Sequence, residues 1–195
     1  MIACMQHPVE RQLIHRGAKF DFESVSVRTR DGTVVRREIV RHPGAVVVLP
    51  ILRPPQSDRT ALLLFIRNFR ISLDRLLLEL PAGTLEKGEE PLHCAARELE
   101  EETGFRAARM DSLGTFYTTP GMTDELMHAF VARGLTSVGQ RLEADEQIEP
   151  IELDAREAFA GMDRGELQDG KSMLTLLLAA RKGLLGPVEG LGGAD

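Results

Sequence analysis

The chain has 195 residues, 43% of them hydrophobic and 28% charged, which suits one globular domain with a real core and an N-terminal extension. Thirty acidic residues against 24 basic ones give a net charge of −6, which argues against DNA or RNA as a partner. A free anionic nucleotide would be repelled as well, unless a cation or local Arg and Lys received it. The longest apolar run is far short of the roughly 18 residues a membrane helix needs. Cys4 and Cys94 are no disulfide framework, and the start MIACMQHPVERQ lacks the layout of a signal peptide, so a reducing cytoplasm is the expected setting.

Residues 1 to about 17 show no period and read as an arm. Phe20–Arg28 and Thr33–Val40 alternate in polarity around Asp31-Gly32, a strong hairpin signal. A two-stranded ribbon is marginal in water, so it needs something to pack on, and a second subunit is one candidate. Ala45–Leu52, Thr60–Arg67 and Leu76–Leu80 are apolar runs of the kind found in strands buried on both faces. Two further strands are expected at Leu113–Tyr117 and Leu126–Ala132, and a short one at Ile148–Leu153. Asp154 suits the N-cap of a helix reaching about Arg164, and a Leu-rich helix is expected over Lys171–Lys182. The tail from 186 to 195 reads as disordered. Strands, a helix, more strands and two helices indicate an α/β fold with a mixed sheet between helices.

The stretch Gly83–Phe105 is the most constrained. Pro91 suits a first helical turn and Gly104 the left-handed residue past the last one, which predicts a helix over 91–103. At about 100° per residue, Glu98, Glu101 and Glu102 fall within an arc of roughly 100°. Leu92, Ala95, Ala96 and Leu99 form a separate apolar stripe. Like charges at i and i+4, and carboxylates in a last helical turn, each cost some stability. A hard divalent cation, which takes oxygen ligands, is the simplest reason to accept both costs in one place. Cys94 reads as a small buried thiol, not a nucleophile.

The spacing Gly-x5-Glu-x7-Arg-Glu-Leu-x-Glu-Glu-x-Gly-Phe over Gly83–Phe105 resembles the signature of the Nudix hydrolases. Its one departure is Phe105, where the pattern usually has an aliphatic packing residue. Arg41–Ala45, Asn68-Phe69-Arg70, Glu79–Gly83 and Thr118–Gly121 followed by Asp124-Glu125 resemble the ADP-ribose pyrophosphatase branch. Pro120, 16 positions after Gly104, has the spacing that marks that branch. The resemblance implies a Nudix α/β/α sandwich with a mixed sheet over 42–185, preceded by an N-terminal antiparallel β-ribbon within 1–41, and a homodimer.

It further implies Mg²⁺-dependent cleavage of the pyrophosphate bond of ADP-ribose or a related ADP-sugar, giving AMP and a sugar phosphate. Mn²⁺ is a possible substitute, and two or more ions per site are expected. By resemblance Glu98 and Glu102 are the main metal ligands, with Glu101, Glu89 and the Ala82 carbonyl as further ones. Arg97 orients the glutamates. The general base is expected in the loop after Gly83–Phe105, the box of that signature, with Glu146 the best match and Glu143 and Asp145 as rivals. Arg70 is a candidate for phosphate or base contact, or else a structural ion pair. Glu125 and Pro120 are candidate substrate contacts. His42 reads as a turn or packing residue, and Phe20, Phe22 and Tyr117 as core or strand-face residues. GDP-mannose and UDP-glucose hydrolases share much of this pattern and stand as alternatives. A non-catalytic ADP-ribose sensor is the remote one, because such proteins often have a degraded box.

Overall fold

A computed structural model describes residues 9–29, 31–142 and 147–188. They divide into two compact units. The first ends at Gly44 and takes in Tyr117–Leu126; the second comprises Ala45–Phe116 and continues from Met127.

The first unit is built on three antiparallel strands in the order β1-β2-β3: β1 (Val9–Arg16), β2 (Asp21–Arg28) and β3 (Val34–Arg41). The hairpin β2–β3 turns at Asp31-Gly32 as expected, with Gly32 at φ 87°. Residues 1–8 lie outside the described residues, and β1 adds a strand, Val9–Arg16, where the sequence reads only as an arm without a period. It pairs with β2 from Val9↔Val27 to Arg16↔Asp21, with a register shift between Leu13 and His15. Residues 10–16 are exposed on both faces, so no alternation marks the strand.

The second unit holds a seven-stranded mixed sheet. Its main path runs β10 (Ile148–Asp154), β5 (Leu62–Arg70), β4 (Ala45–Arg53), β9 (Leu126–Ser137), β8 (Phe105–Tyr117). β6 (Arg75–Glu79) joins β5, and β7 (Ala82–Thr84) joins β4. β4 and β9 run parallel, while β4–β5, β5–β6, β4–β7 and β5–β10 are antiparallel. Three helices cover it: α1 (Pro91–Thr103), α2 (Ala155–Asp163) and α3 (Gly170–Arg181). β8 and β9 are longer than the apolar runs that announced them, because their added residues are mostly exposed or half-buried.

β4 shows why the layers stack as they do. Successive side chains of a strand point to opposite faces. Val47, Leu49 and Ile51 enter one core with Leu176 and Ala179 of α3 and Ala158 of α2. Val46 and Val48 enter a second core with Cys94, Ala95 and Leu99 of α1. Residues 45–51 are all buried, as a central strand between two helical layers requires. On α1 the buried stripe is Cys94, Ala95 and Leu99. Leu92, expected among them, is 47% exposed, and Ala96 is half-buried.

α1 begins at Pro91 and ends at Gly104, which takes φ 75° and returns its N–H to Glu100 O. A Cβ at Gly104 would lie 2.8 Å from the Gln140 backbone nitrogen, so the position needs glycine on two counts. Leu185 and Val188 are buried in the α2/α3 core, and 189–195 lie outside the described residues. Among the described residues no helix is long and apolar enough to cross a membrane.

Asp154 caps α2, its side chain accepting from the Arg156 N–H at 3.0 Å and from the Thr60 hydroxyl. Asp154→Ala should cost about 1 kcal/mol of stability, read as a lowered urea midpoint. An unchanged midpoint would show that the cap contributes nothing.

Candidate active site

The site is built where β7 meets α1. Pro81 O accepts from Val48 N–H at 2.9 Å, and Ala82 and Gly83 pair with Val47 and Val46 of β4. These bonds fix the short segment Pro81–Gly83 to the most buried strand. α1 packs its apolar stripe against the same strand and so brings its carboxylates over that segment. The Ala82 N–H donates to Glu102 Oε2 at 2.9 Å. A Cβ on Gly83 would lie 1.9 Å from Glu98 Oε1, so the closeness of backbone and carboxylate depends on glycine.

Glu98 is 9% exposed and Glu102 is 3% exposed. Buried carboxylates are costly unless paired and hydrogen-bonded. Arg97 supplies much of the compensation. Its Nε and Nη2 donate to the two oxygens of Glu89 at 3.0 Å each, and its Nη1 to Glu98 Oε1 at 2.8 Å and Glu101 Oε2 at 3.1 Å. The Arg97 guanidinium, above all through its hydrogen bonds, holds the Glu89 carboxyl down at about 2. Glu89 also accepts from the Glu86 N–H at 2.9 Å, which closes the loop before the helix. The Cys94 thiol is buried and pushed up to about 12, chiefly by that burial. It stays protonated at neutral pH, as befits a packing residue.

Among the described residues no three Asp, Glu, His or Cys side chains converge as a ready-made metal cage. The donor set nevertheless suits a hard cation: two buried carboxylates on one helix, a third beside them, and a backbone stripped of a Cβ at their oxygens. Arg97 lies among these acids and carries their countercharge.

Arg70 is engaged by a residue the sequence reading did not place at the site. Its Nε and Nη2 donate to Glu79 Oε1 and Oε2 at 2.6 and 2.5 Å. Glu79 is 1% exposed. Burial pushes its carboxyl up, but Arg70 and Lys171 outweigh that and hold it below the usual carboxylate range. The signal was a lone acid ending the apolar run of β6. A cavity of about 400 Å³ lined by Leu76, Leu78, Ile151, Leu153 and Gly161 includes no box residue.

Pro120 and Glu125 belong to the first unit. Pro120 is exposed at a turn where Thr119 O accepts from the Met122 and Thr123 amides. Glu125 accepts from the Thr118 hydroxyl at 2.5 Å and lies 3.4 Å from His42 Nε2. His42 is the turn residue expected: its Nδ1 accepts from the Gly44 N–H at 3.0 Å, and its ring stacks on Phe20 at 4.7 Å. Burial lowers its pKa against the opposing pull of Glu125 and Asp124. Phe20, which precedes β2, and the strand residues Phe22 and Tyr117 are exposed and not core. Glu143, Asp145 and Glu146 lie outside the described residues.

A model of the NUDIX domain matches residues 41–176, and the chain belongs to that family. It is a Nudix pyrophosphohydrolase. It is similar to an ADP-ribose pyrophosphatase of Bacillus subtilis (strain 168), at 37% identity over 84% of this chain and 86% of that one. It is also similar to a methanol dehydrogenase activator of Bacillus methanolicus, at 35% identity over 86% and 89% of the two chains. The crystal structure of an ADP compounds hydrolase shares the fold, with a TM-score of 0.75 and 20% identity over 91% of this chain and 94% of that one.

Gly83→Ala should keep the circular dichroism spectrum of the wild type and lower turnover by about 100-fold, since it displaces the Glu98 carboxylate. Wild-type turnover in that variant would show that the close approach is dispensable.

Proposed function

We propose that this chain hydrolyses the pyrophosphate bond of ADP-ribose, or of a related ADP-sugar, to AMP and a sugar phosphate, with Mg²⁺ as cofactor. The observation that carries the reading is the pair Glu98 and Glu102, buried side by side against the Ala82–Gly83 backbone. The similarity to an ADP-ribose pyrophosphatase over most of both chains supports the choice of substrate.

Phosphoryl transfer asks the protein for positioning and charge neutralisation more than for covalent help. Glu98 and Glu102 would hold the cations, with Glu101, Glu89 and the Ala82 carbonyl as further ligands, at two or more ions per site. When bound, Mg²⁺ supplies a lowered pKa for the attacking water and charge neutralisation for the diphosphate; Mn²⁺ would serve in its place. Arg97 keeps the three box carboxylates oriented through its bonds to Glu89, Glu98 and Glu101. Glu146 takes the proton of the attacking water as general base, in preference to Glu143 and Asp145. Water adds to one phosphorus as the bridging P–O bond breaks, and the bridging oxygen leaves on the other phosphate.

Arg70 contacts the diphosphate from its seat on Glu79. Glu125 accepts a hydrogen bond from a ribose hydroxyl or the base, and Pro120 shapes the turn that precedes it. The protein works as a homodimer in the cytoplasm.

Glu102→Gln should abolish turnover of ADP-ribose with Mg²⁺ while the fold stays intact by circular dichroism, and full activity would remove Glu102 from the ligand set. A parallel screen of ADP-ribose, GDP-mannose, UDP-glucose, NADH and diadenosine polyphosphates should rank ADP-ribose first by kcat/KM. A higher rank for GDP-mannose or UDP-glucose would reassign the substrate. Glu146→Gln should cut kcat far more than it weakens Mn²⁺ binding; an unchanged kcat would place the base elsewhere.

A further inference from the structure

The first turn of α3 grips the chain just before the box. Asp169 is its N-cap: one carboxylate oxygen accepts from the Ser172 N–H at 3.1 Å, the Ser172 hydroxyl at 2.5 Å and Lys171 Nζ at 2.9 Å. The Ser172 hydroxyl in turn accepts from the Leu80 N–H at 2.7 Å, and both residues are fully buried. Lys171 Nζ donates to Glu79 Oε2 at 2.6 Å, the oxygen that Arg70 Nη2 also occupies. Two successive helix residues thus hold two successive residues of the strand end, Glu79 and Leu80. Pro81, Ala82 and Gly83 follow at once.

Glu79 and Asp169 carry two negative charges, and Arg70 and Lys171 two positive ones. The quartet is neutral, and its members are bonded to one another. Arg70 is the most exposed of the four, with 38% of its side chain accessible. Lys171 takes part of Glu79 for itself. Without it, Glu79 would be a buried carboxylate with one remaining cation, and it would hold Arg70 more closely. Ser172 acts on the other arm. Loss of its hydroxyl leaves the buried Leu80 N–H unsatisfied, and any relaxation passes through Pro81 to the Ala82 amide that holds Glu102.

We propose that Lys171 and Ser172 are positioning residues for hydrolysis. Ser172 fixes the placement of the Ala82–Gly83 backbone under the box carboxylates. Lys171 sets how far Arg70 is released toward the diphosphate. This rests on the proposed hydrolysis for the Arg70 half, and on the box carboxylates as cation ligands for the Ser172 half.

The test uses full-length Ser172→Ala and Lys171→Met. Mn²⁺ binding is followed by electron paramagnetic resonance, and ADP-ribose binding without metal by calorimetry. Ser172→Ala should weaken Mn²⁺ binding by about tenfold with the circular dichroism spectrum unchanged. Lys171→Met should weaken ADP-ribose binding and raise KM by about tenfold, with Mn²⁺ affinity less affected, and Lys171→Arg should restore most of the loss. The proposal is overturned if both variants bind Mn²⁺ and ADP-ribose as the wild type does and lose only thermal stability. Should Lys171→Met not fold, Ser172→Ala decides, since it removes a single hydroxyl. The Mn²⁺ arm requires no turnover, so it reads the Ser172 half even if ADP-ribose is not the substrate.

Discussion

The meeting of a backbone with two carboxylates governs this protein. Ala82 and Gly83 lie on β4 through Val47 and Val46, and α1 lies on β4 through Cys94, Ala95 and Leu99. One buried strand therefore sets both halves of the contact. The distance between Glu98, Glu102 and the chain beneath them follows from core packing, which is dense and little compressible. A reactive group built on such a scaffold inherits its precision from apolar contacts that never touch substrate.

The same contact explains how a chain of net charge −6 can address an anionic diphosphate. Three of its cations are already committed. Arg97 serves Glu89, Glu98 and Glu101, and Arg70 and Lys171 serve Glu79. Arg97, Arg70 and Lys171 each arrive with a carboxylate, so cations held by the box carboxylates would add to the attraction for a diphosphate. Charge here is a local arrangement of pairs, and the net value describes only the surface average.

The box helix was legible because its ends carry backbone chemistry. Pro91 and Gly104 mark 91–103 through a missing N–H and a left-handed φ, and the helix runs between them. The hairpin at Asp31-Gly32 was legible for the same kind of reason. β1 was not: a strand exposed on both faces has no burial to alternate, and only its pairing with β2 defines it. Leu92 misled because a stripe inferred from spacing fixes an angle only to within a residue, and the buried line passes through Cys94 instead. The bond between Glu79 and Lys171 joins positions 92 apart in sequence. No local pattern records such a pair, and only the fold brings it together.

Arg97 has one more consequence. Box acids left to repel one another would make the apo helix hostage to its cation, as in small domains that unfold when chelated. Arg97 is a resident counter-ion, hydrogen-bonded to the very oxygens a metal would claim. The fold can therefore be completed in the absence of metal. A divalent ion would then enter by exchange with a guanidinium already in place, and could leave again without taking the architecture with it.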